Sequence, residues 1–198
     1  ALETLQCMIE RRKGGETGVV SVQCLEGDEM WEAGERGVWS MELATAACDA
    51  IENKPAGPMQ DHAKDPAVFL VEYADGLKTA TVMLSGYVSD FAYAARVDDK
   101  IHGVEFYLQN EGPFGHFGYL CRNIQDFFKT KRAPYPPERT LLTTGIIDAA
   151  MNSRHENHRR IETPYLDIAY SSYDTLPQRP TKTRPAGACI NPKTPDII

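Results

Sequence analysis

Val68-Phe69-Leu70-Val71-Glu72-Tyr73-Ala74-Asp75-Gly76-Leu77 is the stretch that decides how this chain folds. Its first six residues are rich in β-branched and aromatic side chains, which suit a pleated surface. Asp75-Gly76 then supplies a pair that tolerates the positive φ angles of a type I′ hairpin turn. Leu77 to Leu84 returns as the partner strand. A tight turn joins only antiparallel neighbours, because parallel strands need a crossover of a dozen or more residues. Asp90 to Val97 and Val104 to Gln109 read as two further strands, joined through Asp98-Asp99-Lys100. The expected sheet is therefore an antiparallel meander and not a parallel nucleotide-binding sheet.

Upstream, Val20, Val22 and Cys24 alternate with Ser21 and Gln23, which predicts a half-buried strand over Val19 to Leu25. Before it, Leu2, Leu5, Met8 and Ile9 share one face of an amphipathic helix. Arg11-Arg12-Lys13 suit that helix's C-terminus and Gly14-Gly15 stop it. No cap or turn precedes it, so it reads as an element already under way, and the chain is expected to be the later part of a longer protein. Gly27 to Gly37 reads as a polar, turn-rich loop apart from Met30 and Trp31. Ser40 caps a second helix, with Glu42 in its first turn and Leu43, Ala47 and Ile51 as its apolar stripe.

Downstream, Gly112-Pro113-Phe114-Gly115 breaks the pattern. A helix follows with Phe117, Leu120, Cys121, Ile124, Phe127 and Phe128 on one face. Pro136 or Pro137 opens another, running through Leu142, Ile146, Ala149 and Ala150 to about Ser153. Arg160 to Thr163 and Leu166 to Tyr170 are short final strands. From Ser171 onward, Pro177, Pro180, Pro185, Pro192 and Pro195 punctuate a stretch too poor in large apolar residues to form its own core. The expected fold class is α+β: an open-faced, mainly antiparallel β-sheet with helices packed on one face, over residues 1–170. Residues 171–198 form a Pro-rich extended or disordered tail.

Composition narrows the function. The net charge of −7 over 198 residues argues against nucleic acid as a partner, since phosphate binding needs a basic surface. No apolar run approaches the roughly 20 residues of a membrane helix, and the start does not read as a signal peptide. The five cysteines include no CxxC pair and read as small buried hydrophobes in a reducing, cytoplasmic setting.

Chemistry-bearing residues are sparse. Gly112 to Gly118 precedes a helix, but no Walker Lys-Ser/Thr and no GxGxxG is present, so a structural turn competes with an anion cradle. Gly145, inside a helix, reads as a site of close packing. His155 and His158 flank Glu156-Asn157 in a charged segment that reads as a solvated loop unless a third metal ligand is at hand. His116, beside Phe114 and Phe117, is the best single ligand-facing histidine, with a structural histidine as the alternative. Tyr87, Asp90, Tyr93 and Arg96 lie on or near the central strands and would line a pocket if the sheet has an open face; otherwise they decorate it. No catalytic set, cofactor-binding set or metal set stands out.

Three segments resemble the C-terminal domain of the Gfo/Idh/MocA oxidoreductase family. Leu2-Glu3-Thr4-Leu5-Gln6-Cys7-Met8 is similar to the helix that leads into that domain's first strand. Phe69-Leu70-Val71-Glu72-Tyr73-Ala74-Asp75-Gly76-Leu77 is similar to its strand-turn-strand. Arg139 to Arg154, with Thr143-Thr144-Gly145 at its centre, followed by Arg160-Ile161-Glu162-Thr163-Pro164, is similar to its closing helix and strand. The likeness covers about residues 1–170 and not the tail. It implies a substrate-binding and oligomerisation domain, serving a sugar or polyol-like substrate and self-associating through the sheet face. The NAD or NADP cofactor would be held by an N-terminal Rossmann domain outside this sequence. The family's catalytic Lys and its Asp/His pair match no residue here, so the chain alone is expected to be inactive. Two other readings remain: a stand-alone, non-catalytic binding or assembly module derived from that domain, and a metal-dependent hydrolase using His116 or His155.

Overall fold

The computed structural model describes residues 1–107 and 115–179. Helix α1 (Leu2–Ile9) opens the chain and gives way to Gly14 and Gly15, both at positive φ. Its inner face is Leu2, Gln6 and Ile9, while Met8, expected on that face, is exposed. Gln6 can take the inner position because its amide finds buried partners. Strands β1 (Glu16–Thr17) and β2 (Val19–Glu26) follow. Gly27–Glu35 then forms helix α2, where the glycine-rich composition suggests a loop. Met30, Ala33 and Gly34 are buried on one side of it, and Asp28 and Glu29 meet the positive end of the helix dipole. Burial of that face outweighs the weak propensity of its glycines. Helix α3 (Met41–Asp49) is capped by Ser40, whose Oγ accepts from the Leu43 amide at 3.1 Å, as its position predicts.

β3 (Ala67–Tyr73) and β4 (Lys78–Met83) form the hairpin expected around Asp75-Gly76. Its turn differs from the expectation. The Gly76 amide donates to the Tyr73 carbonyl at 2.9 Å and only Gly76 is left-handed, with φ 86°. That is a three-residue loop closed by a left-handed glycine, not a type I′ turn. The two consecutive positive φ angles that a type I′ turn needs occur at Asp98 and Asp99, 48° and 61°, between β5 (Phe91–Val97) and β6 (Lys100–Phe106). The tighter turn starts β6 at Lys100, earlier than expected, and Leu108 and Gln109 lie outside the described residues.

Helices α4 (Gly115–Thr130) and α5 (Pro137–His155) precede the two-residue strands β7 (Ile161–Glu162) and β8 (Ala169–Tyr170). The main sheet has the order β4-β3-β2-β7, all antiparallel, while β1 pairs with β8 and β5 with β6 in separate ladders. The architecture is α+β with open antiparallel sheets. The meander stops at β4, and the β5–β6 hairpin docks on α3 instead.

Strand alternation sorts the core. Val22 pairs with Val71 on the face covered by α1 and α5, where Leu142, Ile146, Ala149 and Ala150 are fully buried. Leu25 pairs with Val68 on the other side, where Met30, Trp39 and Met59 pack. α4 behaves differently: Phe117, Leu120, Ile124, Phe127 and Phe128 are exposed, Phe128 at 75%. Only Gly115 and Asn123 are buried on it, and Asn123 is bonded to the backbone of Gln178 in both directions at 2.7 and 3.1 Å. The described tail thus runs past Glu10, Arg11 and Arg139 at Ser172 and Tyr173 and reaches α4 at Gln178. No described helix is long and apolar enough to cross a membrane.

Two glycines set close approaches. A Cβ at Gly145 would fall 2.4 Å from Leu166 Cδ2, which accounts for a glycine inside α5. A Cβ at Gly103 would fall 2.5 Å from the Ala46 carbonyl oxygen, so β6 sits against α3 only because that side chain is missing. Gly103→Ala should cost about 1–3 kcal/mol in urea denaturation, since backbone cannot yield as a side chain can. An unchanged midpoint would contradict this packing.

Candidate functional site

β4 is an edge of the main sheet among the described residues, and β5 faces it without joining it. Between them lies a groove of about 760 Å³, walled by α1, α3, β4 and β5. That volume falls in the range of small-molecule sites. The gap exists because α3 and α1 hold the β5–β6 hairpin away from hydrogen-bonding register with β4. The apolar stripe of α3, Leu43, Ala44 and Ala47, is only half-buried in the protein and forms one wall.

The two strands supply most of the groove's polar groups, with Thr4 and Ser40 on its helical walls. Thr81 on β4 is 5% exposed, and its Oγ1 has no hydrogen-bond partner among the described residues. A buried hydroxyl without a partner is uncommon and marks a place for a ligand or ordered water. Tyr93 on β5 is half-buried, and its phenol pKa is raised by burial and, less, by Cys7. It therefore remains a hydrogen-bond donor at neutral pH. Asp90 accepts from Ser89 Oγ at a long 3.5 Å. Arg96 bonds Glu42 through Nη2–Oε2 at 2.6 Å, but both are exposed, so the pair contributes no more than about 1 kcal/mol.

Of the five residues singled out from sequence, the fold brings Asp90, Tyr93 and Arg96 together on this groove. Tyr87 and His116 do not line it. Tyr87 is buried in the second core cluster, donates to the Gly57 carbonyl at 3.1 Å and stacks on His62 with ring centroids 5.6 Å apart. His116 sits at the start of α4, its ring 4.2 Å from that of Phe117. Thr81 was not legible as a site residue, since an isolated threonine in a strand is ordinary.

A second polar assembly was also invisible in the sequence. Gln6 on α1 and Glu10 at its C-terminal cap are each 0% exposed, and Glu16 on β1 is nearly so. Gln6 Nε2 donates to Glu16 Oε2 at 2.6 Å and to the Tyr170 hydroxyl at 2.9 Å, while the Tyr73 hydroxyl donates to Gln6 Oε1 at 3.0 Å. Glu10 accepts from Tyr170 at 2.7 Å and Ser172 at 2.8 Å, and lies 3.4 Å from Arg139 Nε. Glu16 accepts from the amides of Thr17 and Gly18 and pairs with Arg12 at 3.3 Å. Burial drives the pKa of both tyrosines upward. Gln6, Glu10 and Glu16 do not line the groove, so the assembly is a structural clamp beneath it.

Among the described residues, Cys24, Glu26 and His158 form the one cluster of three possible metal ligands, with their ligand atoms all within 4.8 Å of one another. It too lies away from the groove. His155, the other histidine of that segment, is exposed. The remaining described cysteines are not disulfide-bonded; Cys48 is buried, Cys7 half-buried and Cys121 exposed, while Cys189 lies outside the described residues. In comparison with known proteins, no family model, no curated protein and no solved structure matches this chain.

Glu10→Gln should cost about 2 kcal/mol in urea denaturation, because it removes the buried carboxylate beside Arg139 and leaves that guanidinium only the exposed Glu3 at 3.2 Å. A loss under ~1 kcal/mol would mean the clamp does not hold α1. Asp75 gives a pH-dependent counterpart. Its hydrogen bond with Arg12, the Nε–Oδ2 contact at 2.6 Å, holds its carboxyl below the usual range. A folded pKa below the unfolded one stabilises the fold fully above the unfolded value, about 4, and less as pH falls through the folded value. Asp75→Asn should thus lower stability by up to about 1 kcal/mol at pH 7. The difference from wild type should close in acid; a gap that widens in acid would refute the assignment.

Proposed function

We propose that this chain is the substrate-binding and oligomerisation domain of an NAD(P)-dependent oxidoreductase of the Gfo/Idh/MocA type, acting on a sugar or polyol-like substrate. The observation that carries the reading is the groove lined by Tyr93 and by Thr81, whose hydroxyl has no partner among the described residues. A polyol offers hydroxyl donors and acceptors for Thr81, Tyr93 and Asp90, and its C–H faces suit the apolar wall of α3. The net charge of −7 favours a neutral ligand over an anionic one. The sequence has no GxGxxG after a strand, so the nicotinamide cofactor is assigned to a Rossmann domain outside these residues, and this chain's part is to bind and orient the substrate. The resemblance in Leu2 to Met8, Phe69 to Leu77 and Arg139 to Pro164 supports the family, and the antiparallel α+β sheet is compatible with it.

The alternative is an assembly module without chemistry. It draws support from the exposed apolar face of α4 and from Val97 and Val104, exposed on the β5–β6 hairpin. Either reading allows self-association, so ligand binding separates them.

Calorimetry of the chain against a panel of neutral sugars and cyclitols tests the proposal. A ligand should bind, and Thr81→Val and Tyr93→Phe should each weaken it about tenfold, the loss of one hydrogen bond. Tyr87→Phe should leave it unchanged. Micromolar binding of a dinucleotide, or a polyol that binds both groove variants as well as wild type, would overturn it.

A further inference from the structure

We propose that Cys24, Glu26 and His158 form a binding site for a zinc-class divalent cation, separate from the groove. Cys24 and Glu26 lie two residues apart near the end of β2, and His158 meets them from the turn after α5. Their ligand atoms, a thiol sulfur, a carboxylate oxygen and an imidazole nitrogen, all lie within 4.8 Å of one another. Zinc takes sulfur at about 2.3 Å and nitrogen or oxygen at about 2.0–2.2 Å, so tetrahedral ligands sit roughly 3.3–3.7 Å apart. The cluster needs only a small contraction to reach that geometry. A thiolate, an imidazole and a carboxylate are also the mixed donor set that zinc accepts, and their two negative charges balance the cation.

The surroundings fix the ligands in place. His158 Nδ1 lies 3.0 Å from the Cys24 carbonyl oxygen. A carbonyl only accepts, so in the neutral ring the proton sits on Nδ1 and the lone pair on Nε2. An imidazole tethered through Nδ1 to a carbonyl keeps its Nε2 lone pair available, the tethering that orients a metal-bound histidine. The backbone is held too: the His158 amide donates to Ser153 O at 2.8 Å, and His158 O accepts from Gln23 Nε2 at 2.8 Å. Asn157 and His158 both adopt left-handed φ, 55° and 63°, which costs a non-glycine residue energy. That conformation is what turns the imidazole back towards β2.

The other two ligands are similarly set. The Cys24 amide donates to Ser153 Oγ at 3.0 Å, which ties the strand to α5. Glu26 Oε2 accepts from Arg154 Nε at 2.9 Å, leaving Oε1 for a cation, and Arg154, with its side chain 58% exposed, can swing aside. Burial pushes the Cys24 thiol up to about 11. It is therefore no free nucleophile at neutral pH, and a cation would draw it into the thiolate form with release of its proton to solvent. Three protein ligands leave a fourth position for water. Bound there, the cation would clip the 153–158 turn onto β2.

Cobalt substitution tests the site on the full chain. After equilibrium dialysis the protein should hold one zinc per chain. The cobalt form should show tetrahedral d–d bands and a thiolate-to-cobalt charge-transfer band. Cys24→Ser should abolish the charge-transfer band, and Glu26→Gln should weaken binding about tenfold. Cys48→Ser and Cys121→Ser should leave the spectrum intact. His158→Ala should also weaken binding, and if it fails to fold, as judged by circular dichroism, the Cys24 and Glu26 variants still decide. A charge-transfer band that survives Cys24→Ser, or no stoichiometric zinc at micromolar concentration, would overturn the proposal.

Discussion

Two carboxylates removed from water constrain everything else in this fold. Glu10 is fully buried and Glu16 almost so, and an ionised carboxylate in that position must be paired and hydrogen-bonded or the fold loses several kcal/mol. Their side-chain partners come from the two ends of the chain: Gln6 on α1, Arg12 in the turn after it, Arg139 on α5, and Tyr170 and Ser172 near the end of the described residues. Tyr73 on β3 joins through Gln6. Satisfying these carboxylates therefore fixes α1, the main sheet, α5 and the β1–β8 ladder relative to one another. Hydrophobic burial supplies the larger driving force, through Leu142, Ile146 and Val71. The polar clamp selects which arrangement of those apolar surfaces is used.

The groove follows from that placement. With α1 held over the sheet, Leu5 and Ile9 reach the space beside β4. α3 then binds the β5–β6 hairpin by the close approach at Gly103, and the hairpin cannot extend the sheet. The edge of β4 is thus covered by a hairpin across a cavity instead of by a paired strand. Covering protects an edge from pairing with another chain. The space left between is where Thr81 keeps an unpartnered hydroxyl.

Local signals in the sequence were read well where a few neighbouring residues settle the matter. Ser40 before α3, Pro137 at the start of α5 and the β3–β4 hairpin at Asp75-Gly76 are of this kind. α2 was missed because Gly27, Gly34 and Gly37 speak for a loop, and only the burial of Met30 and Ala33 against Leu25 and Val68 overrides them. Asp75-Gly76 reads as the type I′ pair, yet Asp98-Asp99 adopts the two left-handed angles; aspartates tolerate left-handed φ, though less readily than glycine. For the site, Asp90, Tyr93 and Arg96 were visible as polar groups on a strand. Thr81, the Glu10–Glu16 clamp and the pairing of His158 with Cys24 were not, since each depends on contacts between residues distant in sequence.

The central claim, that the space between β4 and β5 is a ligand site for a neutral polyol, is tested most directly by chemical-shift mapping of the isotope-labelled chain, which registers even millimolar binding. Titration with the tightest sugar or cyclitol should perturb amides of residues 79–82, 90–96 and the groove-facing parts of α1 and α3, leaving α4 unmoved. Perturbations centred on α4, or none at saturating ligand, would contradict the account.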